Sequence, residues 1–244
     1  MSVTLPIKVM PLGDSITAGT DQHASYRCLL YQALTAAGYN VDFVGSVHGQ
    51  WGVKSAKNTT PPGYCGMVDL DHEGHSGWAI YHILAGVPDS WDGNLASWAA
   101  ANPPDVALVH LGTNNFGYSP PEFPAPNVDE AIDQLGQVID TLRAASPRVK
   151  ILLAQITPSK ANQNTLTMIP QYNARIPALA GGRYNPFSPI VIVDQYTGYD
   201  VNVDTYDGTH PSPSGEAKMA ARWKEGFDQI MKPRFHSFFP RVTR

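Results

Sequence analysis

Val9-Met10-Pro11-Leu12-Gly13-Asp14-Ser15-Ile16-Thr17 is the stretch that decides how this chain reads. An apolar run, Ile7 to Leu12, stops at Gly-Asp-Ser and gives way to a polar segment containing glycine. A short apolar run bounded by turn residues reads as a buried strand. A serine delivered where such a strand ends lies at the rim of a sheet, where open α/β folds bind their ligands. What Ser15 means therefore depends on what the other strand ends bring to the same rim.

Working outward, Ser25 to Ala37 reads as a helix, with Leu29, Leu30, Ala33 and Leu34 at helical spacing and Gly38 as its stop. Val41 to Gly45 is a second strand, followed by an irregular stretch from Ser46 to Gly77 rich in Gly, Thr, Pro and Asn. Loops of that length inside compact domains are usually functional. Short helices are expected over Trp78 to Leu84 and Asn94 to Ala101, then a strand over Asp105 to Leu111 that ends at Gly112-Thr113-Asn114-Asn115. A helix over Val128 to Ala145, a strand over Val149 to Ile156, a helix over Ile169 to Ala180 and a strand over Ile190 to Val193 follow. Asp207-Gly208-Thr209-His210-Pro211 then precedes a last helix, Ser214 to Met231. Apolar strands alternating with helices imply parallel pairing through right-handed crossovers. The expected fold class is α/β: a five-stranded parallel sheet in one three-layer domain over residues 1–244, with a core from 7 to 231 and an irregular tail.

Composition narrows the function classes. Of 244 residues 43% are apolar and 16% charged, with 21 Gly and 21 Pro, which suits a globular, loop-rich chain. A formal net charge of −4 without a basic block argues against nucleic acid or an anionic membrane as partner. No apolar run reaches the roughly 18 residues of a membrane span. No signal-peptide pattern opens the chain, yet low lysine content with abundant Tyr, Pro and Gly points to a secreted protein. Cys28 and Cys65 could form one disulfide or stand as two buried thiols, and their count leaves both open. Neither Asp69 with Asp71 nor Asp194 with Asp200 and Asp204 has EF-hand spacing. Zinc-type Cys/His spacing and a phosphate-cradling loop are missing too, so neither metal nor cofactor is expected.

Serine chemistry needs a base, a group that orients the base, and donors for an oxyanion. The first strand delivers Ser15, the third Asn114 with its side-chain amide, and the fifth is followed by Asp207 and His210. In a sheet of order 2-1-3-4-5, strands one and three flank the switch point, and the loop after strand five can return there. Two residues between Asp207 and His210 let the carboxylate reach the near imidazole nitrogen, leaving the other to face the serine.

Gly13-Asp14-Ser15-Ile16, Gly77, Gly112-Thr113-Asn114 and Asp207-Gly208-Thr209-His210 resemble the four blocks of the SGNH (GDSL-type) hydrolases. Ser25-Tyr26-Arg27 and His72-Glu73-Gly74-His75-Ser76-Gly77-Trp78 are similar to stretches of carbohydrate esterase family 3, which holds acetylxylan and acetyl esterases. The resemblance implies a flavodoxin-like α/β/α fold and no cofactor. It implies Ser15 as nucleophile, His210 as general base and Asp207 as its partner. The oxyanion hole would be the backbone N–H groups of Ser15 and Gly77 with the Asn114 amide. Many relatives carry Asp after the third-block Asn, whereas this chain has Asn115. The expected substrate is a small acyl ester, most plausibly acetyl on a saccharide such as xylan, handled by a monomer. A general short-chain carboxylesterase or lipase-like hydrolase, a non-catalytic carbohydrate-binding domain and a nucleotide binder are the alternatives.

Asp14 is expected to fix the turn, and His110 to pack in the core or at its rim. His72 and His75 are candidate substrate contacts beside Gly77. Arg27 and Glu73 are expected to pair, tying the Gly77 loop to the first helix. Trp51, Tyr64, Trp78, Phe116 and Tyr118 are candidate walls of the site.

Overall fold

The computed structural model describes residues 5–20, 23–49, 69–87, 92–117, 125 and 127–232. Its strands are β1 (Ile7–Gly13), β2 (Val41–Phe43), β3 (Val47–His48), β4 (Asp71–Gly74), β5 (Val106–His110), β6 (Lys150–Gln155) and β7 (Ile190–Asp194). β1 is central. On one edge it pairs in parallel with β5, Val9 to Gly13 against Val106 to His110. On the other it pairs in parallel with β2 at its start and with β4 at its end, Gly13 opposite Gly74. The path runs β3-β4-β1-β5-β6-β7, and among the described residues only β3 and β4 pair antiparallel.

The sheet therefore has seven strands and is mixed, which corrects the five-stranded, all-parallel expectation. Both added strands fall in the stretch from Ser46 to Gly77 that reads as irregular. Their chemistry hides them: β4 is Asp-His-Glu-Gly, without apolar alternation, and β3 is two residues long. β1, β5, β6 and β7 are legible because buried parallel strands read as continuous apolar runs.

Alternate residues of the strands face opposite sides of the sheet. Met10, Leu12, Val109, Ile151 and Leu153 pack with α3 (Ile80–Ala85), α4 (Leu95–Ala101), α6 (Val128–Ala145) and α7 (Gln163–Gly182). Val9, Leu108, Leu152 and Val193 pack with α2 (Ser25–Ala36) and α8 (Pro213–Met231), where Trp223 is wholly buried. Each buried Leu, Ile, Val or Phe side chain contributes about 1.5–3 kcal/mol. Two short helices, α1 (Ser15–Ala18) and α5 (Thr113–Gly117), start directly after β1 and β5. Neither is long enough to show a period in the sequence. α7 starts at Gln163, six residues before the expected Ile169, because the Asn162 side chain accepts from the Thr165 N–H and caps a polar first turn. Among the described residues no helix is long and apolar enough to cross a membrane.

Cys28 on α2 is buried and disulfide-bonded, while Cys65 lies outside the described residues. Arg27, beside it, is also wholly buried. Among the described residues no ion pair joins it to Glu73, contrary to expectation. Its guanidinium donates instead to the carbonyl oxygens of Thr17, Ala18, Leu70 and Gly49. Five fixed N–H donors suit several carbonyls better than one carboxylate could. Arg27 thereby closes the carbonyl end of α1 and ties it to the segments entering β4 and leaving β3. Arg27→Met, which keeps the bulk but leaves those acceptors unmet, should lower unfolding free energy in urea by about 3 kcal/mol or more. A loss under about 1 kcal/mol would show that the carbonyls find other donors.

Candidate active site

Register brings the strand ends to one place. Gly13 is opposite both Gly74 and His110, so residues following these three positions share one rim. Ser15 lies two residues past Gly13, Gly77 three past Gly74, and Asn114 four past His110. Gly13 permits this crowding, since a Cβ there would meet the Thr17 side chain and, at 2.8 Å, the His110 carbonyl oxygen.

Asp14 caps α1, its Oδ1 accepting from the Ile16 N–H at 3.0 Å. The residue is wholly buried, and its Oδ2 has no hydrogen-bond partner among the described residues. Burial pushes this carboxyl up to about 6, against the opposing pull of the Ile16 N–H and of His210. Fixing the turn, as expected, is its observed work.

Ser15 Oγ lies 2.8 Å from His210 Nε2, and His210 Nδ1 lies 2.6 Å from Asp207 Oδ2. Burial alone would raise the Asp207 carboxyl. The N–H of His210, its ring and the N–H of Thr209 overcome that and hold it below the ordinary value. An ionised carboxylate only accepts, so Nδ1 carries the imidazole proton and Nε2 accepts from the serine hydroxyl. An imidazole so oriented can take a serine proton and return it. The loop holding it is closed on itself: Thr205 bridges Pro211, the Tyr206 N–H donates to the His210 carbonyl, and Gly208 takes a φ of +92°. The Lys160 N–H to Gly208 carbonyl bond and the Ser159–Thr209 hydroxyl contact fix the loop to the segment after β6.

Gly77 sits in a β-turn closed by the Trp78 N–H on the His75 carbonyl. Its φ of +80° with no neighbour within 4 Å says that conformation, not crowding, requires glycine. Among the described residues the N–H groups of Ser15 and Gly77 donate to no protein acceptor. One amide hydrogen of Asn114 goes to the Trp78 carbonyl at 3.1 Å, which holds the side chain against the Gly77 turn. Asn115 accepts from the Ile80 N–H at the start of α3 and donates to Gln134 Oε1. A carboxylate could make the first bond but not the second, so the amide at 115 is matched to Gln134 on α6.

Other candidates have different work. His72 is wholly buried, accepting from the Gly74 N–H at Nδ1 and donating to the Gly49 carbonyl at Nε2. Burial, with Arg27 nearby, lowers its pKa well below the usual imidazole value. His75 is buried against the Trp98 and Trp78 rings, with Nε2 2.7 Å from Glu73 Oε1. Glu73 also accepts from the Ser46 N–H and hydroxyl, so its partners are His75 and Ser46. Neither histidine is open to a substrate. His110 is buried as expected, accepting from the Thr157 N–H, and burial pushes it down to about 4. Trp78 and Phe116 belong to the core rather than to a wall. Trp51, Tyr64 and Tyr118 lie outside the described residues. Among the described residues no three or more His, Cys, Asp or Glu side chains group as a metal site.

Ser25 and Glu216 carry no sequence signal for the connection they make. Ser25, at φ +65°, donates its hydroxyl to the Ile16 carbonyl in α1. Its N–H donates to Glu216 Oε1 at 3.0 Å, in the first turn of α8, six residues past His210. The segments that carry the serine and the imidazole are thus joined by a buried strut.

The chain belongs to the GDSL-like lipase/acylhydrolase family, whose family model matches residues 12–218. A multidomain esterase of Ruminococcus flavefaciens is 30% identical over 246 residues, covering 93% of this chain and 29% of that protein. The chain thus spans under a third of that relative's length. A carbohydrate esterase family 3 structure from Talaromyces cellulolyticus superposes with TM-score 0.73 at 32% identity, covering 92% of this chain and 97% of that one. A family 3 carbohydrate esterase of Clostridium thermocellum superposes with TM-score 0.71 at 31% identity, covering 93% and 98%.

The strut titrates. Burial pushes the Glu216 carboxyl from 4.5 up to about 7, the Ser25 N–H opposing it. Between those values the folded protein binds the proton that the unfolded chain releases. This contribution to stability is complete below about pH 4.5 and is lost as pH rises through about 7. Glu216→Gln keeps an acceptor for Ser25 and cannot ionise. Urea unfolding across that range should show the variant losing less stability with rising pH than the parent. Asp14 adds a fall of the same sign to both proteins, so the difference isolates Glu216. Parallel curves would show that Glu216 does not titrate there.

Proposed function

We propose that this protein is a serine esterase that removes small acyl groups, acetyl foremost, from a carbohydrate such as acetylated xylan. The observation that carries the reading is the unbroken Ser15–His210–Asp207 hydrogen-bond chain on the rim that also holds Asn114. As His210 Nε2 takes the Ser15 proton, Oγ attacks the acyl carbonyl. The resulting oxyanion accepts from the Ser15 and Gly77 N–H groups and from the second amide hydrogen of Asn114. Asp207 stabilises the imidazolium and keeps its orientation. Collapse breaks the ester bond, and His210 gives its proton to the departing alcohol oxygen. Water, deprotonated by the same imidazole, then attacks the acyl-serine carbonyl, and the imidazolium returns that proton to Ser15 Oγ as the C–Oγ bond breaks and the acid leaves. The reaction so written needs no cofactor.

Acetyl as the acyl group and saccharide as the alcohol are supported by two likenesses above 30% identity, both to carbohydrate esterases of family 3. A further solved relative at 32% identity is an acetyl esterase serine-to-alanine mutant with acetate ion. A polysaccharide substrate and a disulfide at Cys28 both suit an extracellular protein.

Ser15→Ala should lower acetate release from p-nitrophenyl acetate by at least about 1000-fold, with the circular dichroism spectrum unchanged. Activity that persists would remove Ser15 as the nucleophile. Asn114→Ala should reduce kcat by about 100- to 1000-fold with little change in KM. An effect confined to KM would assign Asn114 to substrate binding instead.

A further inference from the structure

Acyl transfer fixes where the alcohol half of an ester must lie. The imidazole that takes the serine proton hands it to the departing oxygen, so that oxygen comes within hydrogen-bond reach of the same nitrogen. The carbonyl oxygen turns the other way, toward its donors. The leaving alcohol therefore extends along the His210 side of Ser15.

What stands on that side is aromatic. The Tyr206 ring lies nearly parallel to the His210 imidazole, 17° and 5.8 Å between centroids. It also stacks on His23 at 4.1 Å and 9°. Tyr206 is 46% exposed, whereas Trp78 is 6% and Phe116 0% exposed. The two rings are held by their backbones. Tyr206 is fastened to His210 through the closed loop, and His23 belongs to a turn in which the Thr20 N–H donates to the His23 carbonyl. The His23 N–H returns a bond to Thr20 Oγ1 at 3.1 Å. The stack thus bridges the loop bearing the imidazole and the segment just after α1.

We propose that Tyr206, backed by His23, is the surface on which the saccharide leaving group rests while its acyl group is transferred to Ser15. The inference deepens the carbohydrate reading above and rests on it. A pyranose ring presents C–H bonds that pack on an aromatic ring, with hydroxyls at its edge for polar partners. The Tyr206 hydroxyl and the His23 ring nitrogens can supply them. A two-carbon alcohol covers almost none of that surface. The rings form and break no bond; they bind.

The test is a ratio: kcat/KM on an acetylated xylo-oligosaccharide divided by kcat/KM on ethyl acetate. Tyr206→Ala should lower this ratio about tenfold, chiefly by raising KM for the saccharide, as expected for one aromatic contact. His23→Ala should lower it in the same direction by a smaller factor, and Tyr206→Phe, which keeps the ring, should hold it within about threefold. Equal losses on both esters would show that the ring only positions His210. An unchanged ratio in Tyr206→Ala would place the saccharide elsewhere. Either result overturns the platform and leaves the esterase reading standing. A parent protein that hydrolyses ethyl acetate but frees no acetate from the saccharide would instead remove the carbohydrate reading, and the platform with it.

Discussion

A 2.8 Å contact between side chains 195 positions apart is the interaction on which the site depends. Nothing local can make it. The serine leaves a central strand early in the chain, and the imidazole sits in a loop near its end. Each must be fixed independently to within a few tenths of an ångström, or the proton has nowhere to go. The molecule does this with backbone-directed bonds rather than apolar contact alone. Gly13 lets β1 turn at close quarters, Asp14 caps the helix that opens with Ser15, and Arg27 closes that helix's carbonyl end. On the other side, Asp207 accepts two backbone N–H groups of its own turn before it meets the imidazole. The Ser25–Glu216 strut then joins the two halves directly.

Buried polar groups follow one logic throughout. A desolvated charge costs several kcal/mol unless it is hydrogen-bonded, so each must find partners. Arg27 and Glu73 both obey this rule, but with separate partners and not with each other as expected. Four carbonyl oxygens satisfy a guanidinium fork, while a carboxylate facing Ser46 and His75 is satisfied where it stands. Arg27 ties the first long helix to the segment entering β4 through the Leu70 carbonyl, not to the Gly77 loop as expected.

The same reasoning explains how much was legible beforehand. Ser15 and Asn114 are legible because each stands just past the end of an apolar run, whereas Asp207 and His210 lie well beyond β7 and are legible through their own spacing and the resemblance of their block. β1, β5, β6, β7 and the long helices were visible through continuous or periodic apolar residues. β3 and β4 were not, because their pairing is set by backbone bonds under polar side chains such as His48 and Asp71, which face each other across the two strands. The start of α7 was hidden for a related reason: a capping amide, not apolar spacing, defines it. Ser25 belongs to a family-like stretch, yet nothing in that stretch hints at its bond to Glu216. A serine at φ +65° is recognisable only once its N–H is seen to point at a glutamate 191 positions away.

Aromatic residues mark the limit of reading by composition. In a helix or strand, period tells whether a ring faces the core; in a loop there is no period. Trp78 and Phe116 sit in glycine-flanked stretches beside the site, yet both are core residues. Tyr206 sits among Thr, Asp and Gly, and its ring stays half in water beside an imidazole. Leaving a ring uncovered forgoes apolar stabilisation that burial would have supplied. The Tyr206 N–H and the His210 carbonyl are bonded to each other, so the backbone that carries the open ring is fixed together with the loop that carries the imidazole.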